Sequence, residues 1–181
     1  MVVDRRRLLQ LIVGTSLVGC GSDPTPAACG ADGAGEGLKY CLVERKEITL
    51  VRTADLAVGE VALFALDDHS SAIVARDGAG FYALSGTCPH ACCTVALCGG
   101  KACAVPLISP TDCAPAVRAP LSRSGAAFLC PCHGSQFAAD GSVLTGPART
   151  RLPSVALRLE GRNLVVDLST PVAPEARVAP T

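Results

Sequence analysis

Two short stretches of this chain gather residue types that bind metals. Cys88-Pro89-His90-Ala91-Cys92-Cys93 and Cys130-Pro131-Cys132-His133-Gly134-Ser135-Gln136-Phe137 each place a Cys and a His close together. Pro and Gly beside them belong to turns, so each box can clasp a metal from one side. Thiolates suit ferric iron, and neutral imidazoles suit a more reduced iron because they add no negative charge. Two other chemistries use the same letters. A Cys2His2 set also makes a structural zinc site, with ligands spaced by roughly two to four residues on a hairpin and three to five on a helix. A second Cys in each box would then have no task. The other alternative is a disulfide clamp with bystander histidines. His69, in the turn Asp67-Asp68-His69-Ser70, reads as a solvated residue.

The elements that must hold these boxes read as short strands with no helical period. The runs are Ile48–Arg52, Val61–Leu66, Ser71–Arg76, Phe81–Ser85, Ala127–Leu129, Ser135–Ala138, Val155–Glu160 and Leu164–Leu168. Asp77-Gly78-Ala79-Gly80 and Gly161-Arg162-Asn163 supply the small and Asx residues that tight hairpins need. Strands chained in this way close into an all-β sandwich or partial barrel. Residues 94–126, between the boxes, break the pattern: Cys98, Cys103 and Cys113 lie among prolines, with few strong strand runs. A loop of that length inside a compact domain is expected to be functional or cross-linked.

Composition excludes several classes. The formal net charge is zero, so no basic stripe supports nucleic-acid binding. With no Trp, two Tyr and four Phe, a stacking platform for bases is not expected. No Gly-rich phosphate cradle and no nucleophile–base pair stands out. The chain has three His, too few for a second iron held by two His and a carboxylate once both boxes are served.

Eleven Cys in 181 residues point either to metal sites or to an oxidising compartment. Residues 1–19 favour export. Arg5, Arg6 and Arg7 form a basic start, and the apolar run from Leu8 to Gly19 is shorter than the roughly 20 residues that span a hydrocarbon core. Leu17-Val18-Gly19-Cys20 resembles a bacterial lipobox, which implies lipidation at Cys20, and the Arg run resembles a twin-arginine signal. Residues 20–40 read as a Gly/Ala/Pro-rich tether and 170–181 as a disordered tail, leaving 41–169 as the folded domain. The remaining cysteines, Cys29, Cys41, Cys92, Cys98, Cys103 and Cys113, are even in number and consistent with three further bridges. Cys29–Cys41 is expected from isolation and Cys98–Cys103 from proximity.

The two boxes are similar to the C-x-H-x-x-C and C-x-C-H-G-S motifs of Rieske iron–sulfur proteins. The similarity runs from about Ile48 to Leu168 and includes the lead-in FYALSGTCPH and a closing Gly146-Pro147-Ala148, like the loop that covers the cluster in that family. The resemblance implies a Rieske β fold with a cluster-binding subdomain of two loops. It implies a [2Fe–2S] cofactor with Cys88 and Cys130 on one iron and His90 and His133 on the other, and a disulfide from Cys93 to Cys132 joining the loops. It further implies that Ser135 donates a hydrogen bond towards a cluster sulfur. Phe137 stands where respiratory relatives often have Tyr and cannot donate.

The function this implies is one-electron transfer outside the cytoplasm, with a lipid anchor in the membrane and a cytochrome or oxidoreductase subunit as redox partner. One alternative is the iron–sulfur subunit of a bc-type complex that oxidises quinol. Against it, that subunit's first box typically reads C-T-H-L-G-C, and here Pro89, Ala91 and Cys92 replace Thr, Leu and Gly. A dioxygenase-type Rieske ferredoxin is a further alternative, normally lacking an export signal and the second Cys of each box. A zinc- or disulfide-stabilised surface lipoprotein is the non-redox one.

Overall fold

The computed structural model describes residues 39–44, 47–51, 56–65, 70–99, 102–104, 113–115, 117–122, 124–161 and 163–180. Its strands are β1 (Lys39–Glu44), β2 (Glu47–Val51), β3 (Glu60–Ala65), β4 (Ser71–Asp77), β5 (Gly80–Ser85), β6 (Ala96–Gly99) and β7 (Ala102–Ala104). They continue with β8 (Cys113–Pro115), β9 (Val117–Pro120), β10 (Phe128–Leu129), β11 (Gln136–Phe137), β12 (Val143–Thr145), β13 (Ser154–Glu160) and β14 (Asn163–Pro171). A large sheet has the order β8-β1-β2-β14-β13-β5-β4-β3-β9, and a small one β12-β11-β10-β6-β7. Neighbours pair antiparallel throughout, and no helix occurs among the described residues. The expected all-β sandwich with a two-loop subdomain is the fold observed.

The central hairpins show why. Val61-Ala62-Leu63-Phe64-Ala65 is apolar without alternation, as a strand buried on both faces should be. Its even positions, Ala62 and Phe64, join Ala72, Val74, Phe81 and Ala83 in a core closed by Val155, Leu164 and Val166 of β13 and β14. Its odd positions, Val61 and Leu63, join Ile73, Ala75 and Leu84 in a second core, against Leu97, Phe128 and Phe137 of the small sheet. The strands β3 to β5 therefore bury both faces, one in a core shared with β13 and β14 of their own sheet and the other against the small sheet. Each fully buried Phe or Leu there contributes about 1.5–3 kcal/mol. The β4–β5 turn is closed by Asp77, whose carboxylate accepts from the amides of Ala79 (2.8 Å) and Gly80 (3.1 Å).

Two expectations are corrected. Residues 94–126 are not strand-poor: β6 to β9 all lie there, with β6 and β7 in the small sheet and β9 on the free edge of β3. Their letters, Ala-Leu-Cys-Gly and Ala-Cys-Ala, have weak strand preference, and pairing with neighbours decides their conformation. Arg118 of β9 meets Glu60 of β3 at 2.5 Å.

Nor is 170–181 a loose tail. β14 runs on to Pro171, and the chain then crosses β5 as a strap, where Val178 and Phe81 exchange both backbone hydrogen bonds at 2.9 Å. Arg177 pairs with Asp77 at 2.7 Å and lies over the Tyr82 ring, 4.1 Å from its centroid. Gly80 makes room for the strap: a Cβ there would sit 2.5 Å from the Val178 carbonyl oxygen. A Pro/Ala-rich composition says nothing about two well-placed anchors. At the other end, Lys39 and Tyr40, placed with the tether by sequence, already belong to β1. Residues 1–38, and with them the expected export signal and most of the expected tether, lie outside the described residues, as does His69.

Candidate metal centre

The two boxes occupy loops between strands of the two sheets: Cys88–Cys93 follows β5, and Cys130–Ser135 joins β10 to β11. Both close by the same pair of backbone hydrogen bonds. The Cys88 amide donates to the Cys93 carbonyl (2.8 Å) and the Cys130 amide to that of Ser135 (2.7 Å). The amides of Cys92 and Gly134 donate back to the carbonyls of Cys88 and Cys130, each at 2.9 Å. In both loops the fifth residue carries a positive φ, 58° at Cys92 and 78° at Gly134. The tight turns hold the first Cys of each loop at the buried base and push the imidazoles outward.

The four expected ligands form two pairs on that plan, Cys88 with Cys130 and His90 with His133. Cys88 and Cys130 are buried at 0% and 1% exposure, and their side chains interact directly. His90 and His133 are exposed, with ring centroids 4.7 Å apart and planes at 83°. Burial is the largest influence on the Cys88 thiol and pushes its pKa up, with Cys130 adding to the rise. Hydrogen bonds from the His90 amide and the Ser135 hydroxyl oppose it. Two neighbouring buried thiols, with two imidazoles on the same loops, are a fitting donor set for a cationic centre, since a bound metal holds both as thiolates.

Around them, Cys93 and Cys132 form a disulfide with Cα atoms 6.5 Å apart, tying loop to loop. The Cys130 sulfur lies within 4.8 Å of both sulfurs of that bridge. Ser135 and Phe137 are fully buried. Gly146 and Pro147 are exposed, while Ala148 is buried and its amide donates to Ser135 Oγ at 2.9 Å. Cys98 and Cys103 face each other across β6 and β7 and are bridged, as proximity suggested. The expectation that Cys92 is bridged is corrected, because its thiol is free and exposed. Cys92 occupies the left-handed turn position that Gly134 fills in the second loop, which points its side chain to solvent. Cys20 and the side chains of Cys29, Cys41 and Cys113 lie outside the described residues. Sequence reasoning missed the donors that have no letter of their own, the amides of His90 and Ala148.

Residues 46–156 match the family model of the Rieske [2Fe-2S] domain. The chain belongs to the Rieske family. A [2Fe–2S] cluster is therefore its cofactor, and electron transfer its general class of work. Among Rieske relatives, the "Cytochrome b6-f complex iron-sulfur subunit" of Synechococcus sp. (strain JA-2-3B'a(2-13)) is 29% identical over 137 residues, covering 74% of this chain and 66% of the relative. The "Carotenoid phi-ring synthase" of Chlorobaculum tepidum is 33% identical over 112 residues, covering 60% of this chain but 14% of the synthase. The chain thus spans just under two thirds of the first relative's length and a small part of the second's. The plasma membrane Rieske protein PetC3 from Synechocystis PCC 6803 aligns with a TM-score of 0.36 at 27% identity, covering 60% of this chain and 86% of that one.

Proposed function

We propose that this chain carries single electrons on the outer side of the cytoplasmic membrane, with Cys88 and Cys130 holding one iron of its cluster and His90 and His133 the other. The observation that carries the assignment is the pairing of two buried thiols with two exposed imidazoles on loops joined by a disulfide. When bound, the [2Fe–2S] cluster supplies one-electron oxidation and reduction, and imidazole ligation places such centres at roughly −150 to +300 mV.

The rest is the protein's part. Burial keeps water from the Cys88 and Cys130 sulfurs, whereas exposure of His90 and His133 presents that side of the centre to a redox partner. The Cys93–Cys132 bridge keeps the loops from spreading when the charge between them changes. Gly146-Pro147-Ala148 closes over the second loop, anchored at Ser135. Phe137, fully buried in the same core as Cys88 and Cys130, offers a ring and no donor, which favours a potential below that of Tyr-bearing relatives.

Support for the outer-side location comes from the Arg5–Arg7 start and from Cys20 as the lipid-bearing residue. The partner fitting this placement is a cytochrome or an oxidoreductase subunit. A second reading, the iron–sulfur subunit of a quinol-oxidising complex, is favoured by the relative named as a cytochrome b6-f subunit. Pro89, Ala91 and Cys92 in the first loop weigh against quinol docking. Visible absorption and electron paramagnetic resonance of the reduced protein, purified with its membrane anchor, test the proposal. A Rieske spectrum with average g below two is expected; a colourless, silent protein would overturn it.

A further inference from the structure

The two bridges described above are held by different scaffolds. Cys93–Cys132 joins two loops, and its Cα atoms lie 6.5 Å apart, inside the usual span of roughly 4.4–6.8 Å. Cys98–Cys103 joins two strands, because these residues face each other directly in the register of β6 with β7. The Cys98 amide donates to the Ala127 carbonyl at 2.9 Å, which turns its backbone groups towards β10 and away from β7. Cys98 and Cys103 are therefore a non-hydrogen-bonded pair, where antiparallel strands bring opposed Cα atoms to about 4.5 Å. Here they lie 4.0 Å apart. The sheet holds this bridge closer than a relaxed disulfide asks, and bridges so held are the more reducible ones.

Access points the same way. β7 is the edge strand of the small sheet, and all three of its residues are exposed, Cys103 among them. The bridge lines a groove of about 360 Å³, with Ser122, Ser124, Leu129 and Gln136 around it. Opening the bond leaves β6 paired with β10, so only the short edge strand loses a restraint.

We infer that Cys98–Cys103 is a second redox site, separate from the metal centre, that exchanges reversibly with a dithiol. One thiolate of the dithiol attacks the exposed Cys103 sulfur. The bond between Cys103 and Cys98 breaks, and Cys98 leaves as a thiolate that takes up a proton. The second thiolate then attacks the dithiol's own sulfur in the mixed disulfide and releases Cys103. Cys98 and Cys103 gain two electrons and two protons, all drawn from the dithiol, which becomes an internal disulfide.

The test uses the full-length, cluster-loaded protein in anaerobic mixtures of reduced and oxidised dithiothreitol. New thiols are trapped by alkylation and located by mass spectrometry. Cys98 and Cys103 should be alkylated in mildly reducing mixtures that leave Cys93 and Cys132 paired, and oxidised dithiothreitol should close the bridge again. Opening of Cys93–Cys132 in the same or milder mixtures overturns the inference. The unfolded chain separates the pull of the sheet from local sequence. In guanidinium the sheet is gone, and a bridge closing 5 residues re-forms more readily than one closing 39. The order of opening should therefore invert. An unchanged order, with Cys98–Cys103 opening first in both states, assigns its lability to local sequence and overturns the inference.

Discussion

Cys88–Cys93 and Cys130–Ser135 are two loops with one backbone plan and different side chains. Each binds its first amide to its sixth carbonyl and its fifth amide to its first carbonyl, and each needs a left-handed fifth residue. What differs is where the chemistry sits on that plan. The imidazole is the third residue of the first loop and the fourth of the second, and the bridging Cys is sixth in one and third in the other. The comparison teaches that the turn is set by backbone hydrogen bonds and one permissive φ, which leaves the other positions free to carry ligands. It also shows an imbalance. The second loop meets its left-handed requirement with Gly, and the first meets it with Cys92.

The strongest challenge to this equivalence is to remove one imidazole at a time. His90→Ala and His133→Ala should each abolish the visible colour and leave iron substoichiometric by elemental analysis, although the two residues sit at different places in their loops. One variant keeping a full cluster would show that the loops are not equal partners.

Next in size is the link between the loops. Removing Cys93–Cys132, which spans 39 residues, should cost about 4 kcal/mol by loop-closure entropy, against about 2 kcal/mol for Cys98–Cys103, which spans 5. Chemical unfolding of the Cys93→Ser/Cys132→Ser and Cys98→Ser/Cys103→Ser pairs would rank them, and equal losses would contradict the closure argument.

The smallest pair of effects concerns the fifth residue. Gly134→Ala should destabilise by about 1–2 kcal/mol through conformation alone, because a Cβ there meets nothing within 4 Å. Cys92→Gly should stabilise by up to about 1 kcal/mol, the relieved strain being partly offset by a freer unfolded chain. Thermal melts of both variants check the opposite signs.

Much of this was legible in the sequence because it depended on side-chain identity. Cys88, His90, Cys130 and His133 could be read as a donor set, and eight of the strands announced themselves through apolar runs such as Val61–Leu66 and Phe81–Ser85. What escaped notice was set by partners distant in sequence. Ala102–Ala104 and Val117–Pro120 are strands because β6 and β3 lie beside them, and nothing in their own letters says so. The donor role of Ala148 belongs to the backbone, which every residue shares. Number parity makes Cys92 a bridge-former, but parity carries no information about φ, and at Cys92 φ is positive and the thiol is free.

The strap over β5 has one more consequence. Val178 satisfies both backbone groups of Phe81, at the point where β13, paired with β5 only at Leu84 and Ala83, has already turned away. A chain cut before Val172 would bare that stretch as an unprotected edge, the kind of surface that recruits strands from other molecules. Trimmed forms should therefore elute as oligomers in size-exclusion chromatography, which makes the last residues a guard against self-association.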